Sequence, residues 1–123
     1  MFCVSKGGII RMSRGDSVEF PVTIYDGTSV NRVKYDLAPE DELYFGLMEP
    51  NMRFEDALIR KKCDYRYTND EGDIMIYLDP QDTEYLLPGL YYYQIKVRIY
   101  DPYRDDYMVN TILPKTQFWI EEW

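Results

Sequence analysis

The chain has 123 residues, a formal net charge of −8 and a pI near 4.5. That is the length of one domain, without the basic face that nucleic acid or an anionic membrane surface would demand. It contains no His and spends 13 residues on Tyr against 5 on Phe, so the commonest general base and metal ligand are missing and several tyrosine hydroxyls must stand at the surface or in an interface.

Residues 1–8 read as a short N-terminal arm, without the apolar core of a signal peptide, and no later run approaches membrane-spanning length. Ile9–Met12 forms a first short strand and Ser13-Arg14-Gly15-Asp16 a turn. Ser17–Tyr25 reads as one strand with Val18, Phe20, Val22 and Ile24 on a single face. Pro21, on the other parity, removes a ladder donor and assigns the strand to a sheet edge. Asp26-Gly27 is a turn signal, and residues 28–32 a loop tip. Val33, Tyr35 and Leu37 mark a short strand, and Pro39 opens a helical turn over Ala38–Glu42. Leu43–Met48 is a strand with Leu43, Phe45 and Leu47 inward, where Gly46 signals a bulge or close packing. Glu49–Asp56 is a loop, Ala57–Lys62 a strand continuing through Cys63 to Tyr67, and Thr68–Asp73 a polar, hairpin-type connection.

The stretch Ile74–Tyr100 organises the rest. Ile74, Ile76 and Leu78 alternate as a half-buried strand until Asp79-Pro80 stops it. Asp79 is placed to cap a short helical turn near residues 80–87, with Pro80 at its first position. Leu87, Pro88 and Gly89 then turn a structural corner into the longest strand, with Tyr91, Tyr93, Ile95, Val97 and Ile99 inward. Leu90, Tyr92, Gln94, Lys96, Arg98 and Tyr100 lie on the other face. Asp101–Asp106 is a turn, and Tyr107–Leu113 and Lys115–Ile120 are last strands separated by Pro114. Short strands punctuated by turns every 8–12 residues or so indicate an all-β protein, an antiparallel β-sandwich of about seven to nine strands, with an up-and-down barrel as the alternative.

Little in this pattern suggests chemistry. Arg14-Gly15-Asp16 spells an integrin-binding tripeptide, but Gly and Asp at those positions are ordinary turn residues. Asp70, Glu71 and Asp73, and Asp101, Asp105 and Asp106, offer calcium-type oxygens without a calcium-loop pattern, and are expected to be solvated turn residues. Asp82 and Thr83 lack a base to make them a nucleophilic pair, so they are assigned to the backbone of the helical turn. Cys3 and Cys63 have neither a disulfide framework nor zinc spacing and read as free thiols. No catalytic residue, cofactor or metal site is predicted. Tyr91 and Tyr93 are assigned to the core, and Tyr92, Tyr100, Tyr103 and Trp123 are the interface candidates. An exposed aromatic row for carbohydrate is the alternative use of Tyr and Trp.

Leu87-Pro88-Gly89-Leu90-Tyr91 resembles the L-P-G-x-Y corner of bacterial and phage Ig-like domains. Arg14–Ile24, Leu37–Phe45, Leu58–Lys62, Ile76–Leu86, Gly89–Ile95 and Thr116–Ile120 follow in an order similar to small tailed-phage and prophage proteins. Nearly the full length resembles the N-terminal domain of siphophage upper baseplate proteins. The resemblance implies one Ig-like sandwich over residues 9–123, made in a bacterial host cytoplasm and incorporated into the virion. It also implies a non-enzymatic part docking on tail, baseplate, neck or capsid proteins in a symmetric multi-copy assembly. Those baseplate proteins continue into a helical stalk, whereas this sequence ends at Trp123 and carries a longer insertion at Asp101–Tyr107; an adaptor, decoration or neck component is an equal expectation.

Overall fold

A computed structural model describes residues 2–4, 8–27 and 32–122, with the backbone alone for 2–4 and 32. The protein is all-β. The first strands are β1 (Phe2–Val4), β2 (Ile10–Ser13), β3 (Val18–Val22), β4 (Ile24–Gly27) and β5 (Arg32–Lys34). Then come β6 (Glu42–Met48), a 3₁₀ turn over Phe54–Asp56, β7 (Ile59–Cys63), a second over Tyr65–Tyr67, β8 (Ile74–Leu78), the one-turn helix α1 (Pro80–Thr83), β9 (Gly89–Asp101) and β10 (Asp106–Glu121). They form a five-stranded sheet in the order β2-β10-β9-β6-β7, a β3-β8 pair and a small β1-β4-β5 sheet. With β6, β9 and β10 as the central C, F and G strands, β7 beside them, and β3 opposite β8 as B and E, this is an Ig-like sandwich.

Period-2 alternation builds the core. Tyr91, Tyr93, Ile95, Val97 and Ile99 are all buried along β9, and their register partners Leu43, Phe45 and Leu47 on β6 are buried beside them. Phe20 of β3 meets Phe45 edge-on across the sandwich, with ring centroids 5.7 Å apart. Tyr93 and Phe118 complete the cluster at 5.9 Å from each other. Such ring pairs add about 0.5–1.5 kcal/mol beyond the area they bury.

Several predicted boundaries move. Ser17–Tyr25 is two strands: the chain leaves the β8 partnership at Thr23 and joins the β1–β5 sheet, while Thr23 Oγ1 donates to Asp73 Oδ1 at 2.6 Å. Val22 and Ile24 are both buried, so the alternation runs unbroken through the switch and hides it. Asp26-Gly27 forms the end of β4, Arg32 belongs to β5, and the rest of the expected loop tip, residues 28–31, lies outside the described residues. Pro21 does lie on a two-stranded sheet. The Ala38–Glu42 segment is a non-helical turn closed by the Asp41 N–H on the Ala38 carbonyl at 3.0 Å. The strand from Ala57 stops at Cys63, because Asp64 accepts from the Arg66 N–H at 3.0 Å and caps a 3₁₀ turn over Tyr65–Tyr67. Thr68–Asp73 is a hairpin-type turn, with Thr68 bridging Ile74 antiparallel across it and the Asn69 side chain accepting from the Glu71 and Asp73 N–H groups, and it carries the chain from the sheet of β7 into that of β8. Pro114 does not divide the last strand; β10 runs through it with register shifts between Thr111 and Leu113 and between Leu113 and Thr116. One pairing is not antiparallel: β2 runs parallel to β10, Ile10 opposite Phe118, since alternation carries no information on strand direction.

Candidate functional site

The corner before β9 is built as the sequence predicts. Gly89 takes φ 151°, open to glycine and strained for other residues. Tyr91 lies two residues into the strand with its ring buried, and its hydroxyl donates to the Leu87 carbonyl at 2.6 Å. This is the tyrosine-corner arrangement of Ig-like sandwiches. Burial first, and the Glu49 carboxylate second, push the Tyr91 phenol above its ordinary pKa. Leu87 itself is 76% exposed, so its contribution is the carbonyl and not the side chain.

Asp82 and Thr83 serve the backbone. Asp82 Oδ2 accepts from the Asp79 N–H at 2.7 Å and takes Lys61 Nζ at 2.8 Å. Thr83 is buried, and its Oγ1 accepts from the Gly15 N–H at 2.9 Å. The Arg14-Gly15-Asp16 turn is thereby stitched to α1, and Arg14 Nη2 reaches Glu122 at 2.6 Å. The tripeptide is a structural joint. Asp73 is engaged by Thr23 and lies 3.8 Å from Lys34 Nζ. Among the described residues, no three His, Cys, Asp or Glu side chains converge as a metal-ligand group. Cys63 is buried and unbonded, and burial raises its thiol to about 11; the side chain of Cys3 and all of Trp123 lie outside the described residues.

The remaining interface candidates do not form one site. Tyr100 and Tyr103 sit at the β9–β10 end, where Tyr103 is 98% exposed and the Tyr100 hydroxyl donates to Asp105. Tyr100 stacks edge-on with Tyr107 at 5.5 Å. Tyr92 is roughly 26 Å away along the strand, eight residues at about 3.3 Å each, where it pairs in register with Met48 and Gln117.

What joins the two ends is the outer face of the five-stranded sheet, to which Tyr92, Lys96, Arg98 and Tyr100 belong. Arg11 stands over the Trp119 ring, its Cζ 5.2 Å from the centroid. Lys96 Nζ is 4.7 Å from the Phe54 centroid, and Arg98 Cζ is 3.7 Å from that of Tyr107. Phe54 lies directly on Gly46: a Cβ there would fall 2.7 Å from the ring. The predicted meaning of Gly46, close packing, is the observed one. Glu42 is the hub of the charges, accepting from the Tyr44 hydroxyl and pairing with Lys62 at 3.1 Å and Arg98 at 3.3 Å. The Tyr44 bond, aided by Lys62 and Arg98, holds the Glu42 carboxyl below the usual carboxylate range against a smaller desolvation effect. Trp119 was legible by parity, opposite to buried Phe118 and Ile120; Phe54 was not, since its loop position carries no period.

Asp41 is a second feature that the sequence hides. Its carboxylate is 1% exposed and accepts from the Tyr35 hydroxyl, the Ala38 N–H at 2.9 Å and the Tyr100 N–H at 3.4 Å. It ties the turn before β6 to the far end of β9. Three donors satisfy it, as a buried carboxylate requires.

No described helix is long and apolar enough to cross a membrane. A hollow of about 550 Å³ opens between Ile10, Phe20, Thr23 and Asp73. No protein-family model and no curated protein matches this chain.

Proposed function

We propose that the chain is a non-enzymatic structural module of a tailed-phage particle, an Ig-like domain that docks on other virion proteins. The observation that carries the docking role is the outer face of the five-stranded sheet, part of it roofed by Phe54 over Gly46. There aromatic rings and cations lie together on a broad surface and not in a cleft, the residue chemistry favoured at protein interfaces. The phage assignment rests on the ordered sequence resemblance and on the Leu87–Tyr91 corner that the fold puts to use. The exposed Tyr100–Tyr103 end supplies a second, smaller contact surface. A carbohydrate platform needs free ring faces; on Trp119, Phe54 and Tyr107 a cation of the protein itself covers one face.

The test is immunodetection in density-purified particles from the strain that encodes the chain. Fixed stoichiometry with the tail or neck proteins is expected. Its presence only in the particle-free lysate would overturn the reading. A saturable change in tryptophan fluorescence on adding host-wall polysaccharide would favour the sugar-binding alternative.

A further inference from the structure

The chain carries its charge unevenly. Arg60, Lys62, Lys96 and Arg98 stand on the outer face of the five-stranded sheet, where Glu42 is the carboxylate between them. The chain as a whole has a net charge of −8, so the surface outside this face is more acidic than the total indicates. The opposite side of the sandwich is the outer face of the β3-β8 pair. There Glu19 sits opposite Tyr77 in register, Asp79 is exposed beside them with Lys61 at 3.9 Å, and Asp70 and Glu71 are exposed on the connection that leads into β8. Tyr77 is itself 50% exposed, and a hydrogen bond from its hydroxyl to Glu19 holds the phenol above its ordinary pKa.

We infer that copies of this chain stack front to back, the cationic face of one on the acidic β3-β8 face of the next. The occupant is set by charge complementarity: each copy presents both halves of the contact, on opposite sides of one sandwich. A contact between two different faces is heterologous, so it propagates as a ring or an open stack and does not stop at a two-fold dimer. The narrower face limits its strength. Two strands of five residues each span roughly 10 by 17 Å, far below the about 800 Å² per partner of a stable interface. Each contact is therefore weak and counts when repeated along an assembly. Repulsion between the acidic bodies is screened beyond about 8 Å at physiological salt, leaving the local complementarity. This inference deepens the virion reading and rests on it for its purpose, though not for its test.

The test is sedimentation velocity of the full chain over a concentration series, at about 50 mM and about 500 mM salt. The wild-type chain should form species larger than a dimer at the lower salt and return to monomer at the higher. Arg60→Glu with Lys96→Glu reverses one face, and Glu19→Lys with Asp70→Lys the other. Each double variant alone should associate at least about tenfold more weakly, and an equimolar mixture of the two should recover association. Near-UV circular dichroism checks the fold, and the single variants Arg60→Glu and Glu19→Lys replace any double variant that fails it. A wild-type chain that stays monomeric at low salt, or whose association is indifferent to salt or stops at a dimer, overturns the stack. So does a variant that associates as the wild type does, or a mixture that recovers nothing. If the chain is monomeric yet present in particles, only the stack is lost; if it associates yet is absent from particles, only the virion reading is lost.

Discussion

The two faces of the five-stranded sheet use the same kinds of residue in opposite ways. On the inner face, rings hold rings: Phe45 lies between Phe20, Tyr93 and Phe118, and the one hydroxyl of the cluster, on Tyr93, donates to the Gly8 carbonyl at 2.6 Å. On the outer face Trp119, Phe54 and Tyr107 are each topped by a cation, and Lys62 and Arg98 share the Glu42 carboxylate. The inner arrangement is dry and dense, so it bears on stability. The outer one is half-exposed and screened by solvent, where a cation–ring contact is worth about 0.5–1 kcal/mol and an ion pair less than about 1. Tyrosine or phenylalanine at a position therefore says little until its parity in the sheet is known.

The strongest way to break the comparison is from the inside. Phe118 is fully buried and touches both Phe45 and Tyr93. Phe118→Ala should destabilise the fold by about 3–5 kcal/mol, the transfer and cavity cost of a core ring, a large share of the total for a domain of this size. Urea unfolding checks it; a shift below about 1 kcal/mol would mean that β10 is not held by this cluster.

Gly46→Ala acts across the sheet. The position belongs to the outer face, yet its backbone is fixed by the core residues Phe45 and Leu47 on either side. A new methyl would meet Phe54 Cε2 at 2.7 Å and Ala57 Cβ at 3.3 Å. The ring is half-exposed and can swing out, so the cost should fall at the low end of overpacking, about 1 kcal/mol. Lys96 would lose its ring in the process. The expected signature is faster proteolysis near Phe54 with the core's near-ultraviolet spectrum unchanged; an unaltered cleavage rate would mean that the ring does not rest on Gly46.

These two residues also mark what could be read in the sequence. Phe118 declares itself through alternation with Thr116 and Ile120, and the inner face of β9 follows the same rule without exception. The corner was legible because Pro88 fixes its own φ and Gly89 is free to take a positive one, and so was the all-β class. The Thr23 switch and the parallel β2 were not, because parity survives a change of partner and says nothing of direction. The cation-covered face escaped as well: it is assembled from all five strands of the sheet and the 3₁₀ turn that carries Phe54, and its pairs, such as Glu42 with Arg98 or Lys96 with Phe54, are far apart in the chain. For the same reason Asp41 stayed hidden inside the helical turn expected over Ala38–Glu42: two of its partners, Tyr35 and Tyr100, lie outside that segment.

The smallest effect sharpens the comparison through pH. Burial raises the Tyr93 phenol above its ordinary value near 10, because a phenolate in the apolar cluster would be desolvated. A raised native pKa means that the native state keeps its proton where the unfolded chain has lost it. The stability tied to the neutral phenol is therefore complete below about pH 10 and falls as the pH climbs above it. Tyr93→Phe removes both the titration and the bond to the Gly8 carbonyl, which contributes about 1 kcal/mol at neutral pH. The wild-type chain should be more stable by that amount at pH 7, and the gap should close as the pH rises past 10. Paired urea titrations at pH 7, 9 and 10.5 would show it. A gap constant across the three would place the hydroxyl in contact with water, and would move Tyr93 from the inner to the outer kind of tyrosine.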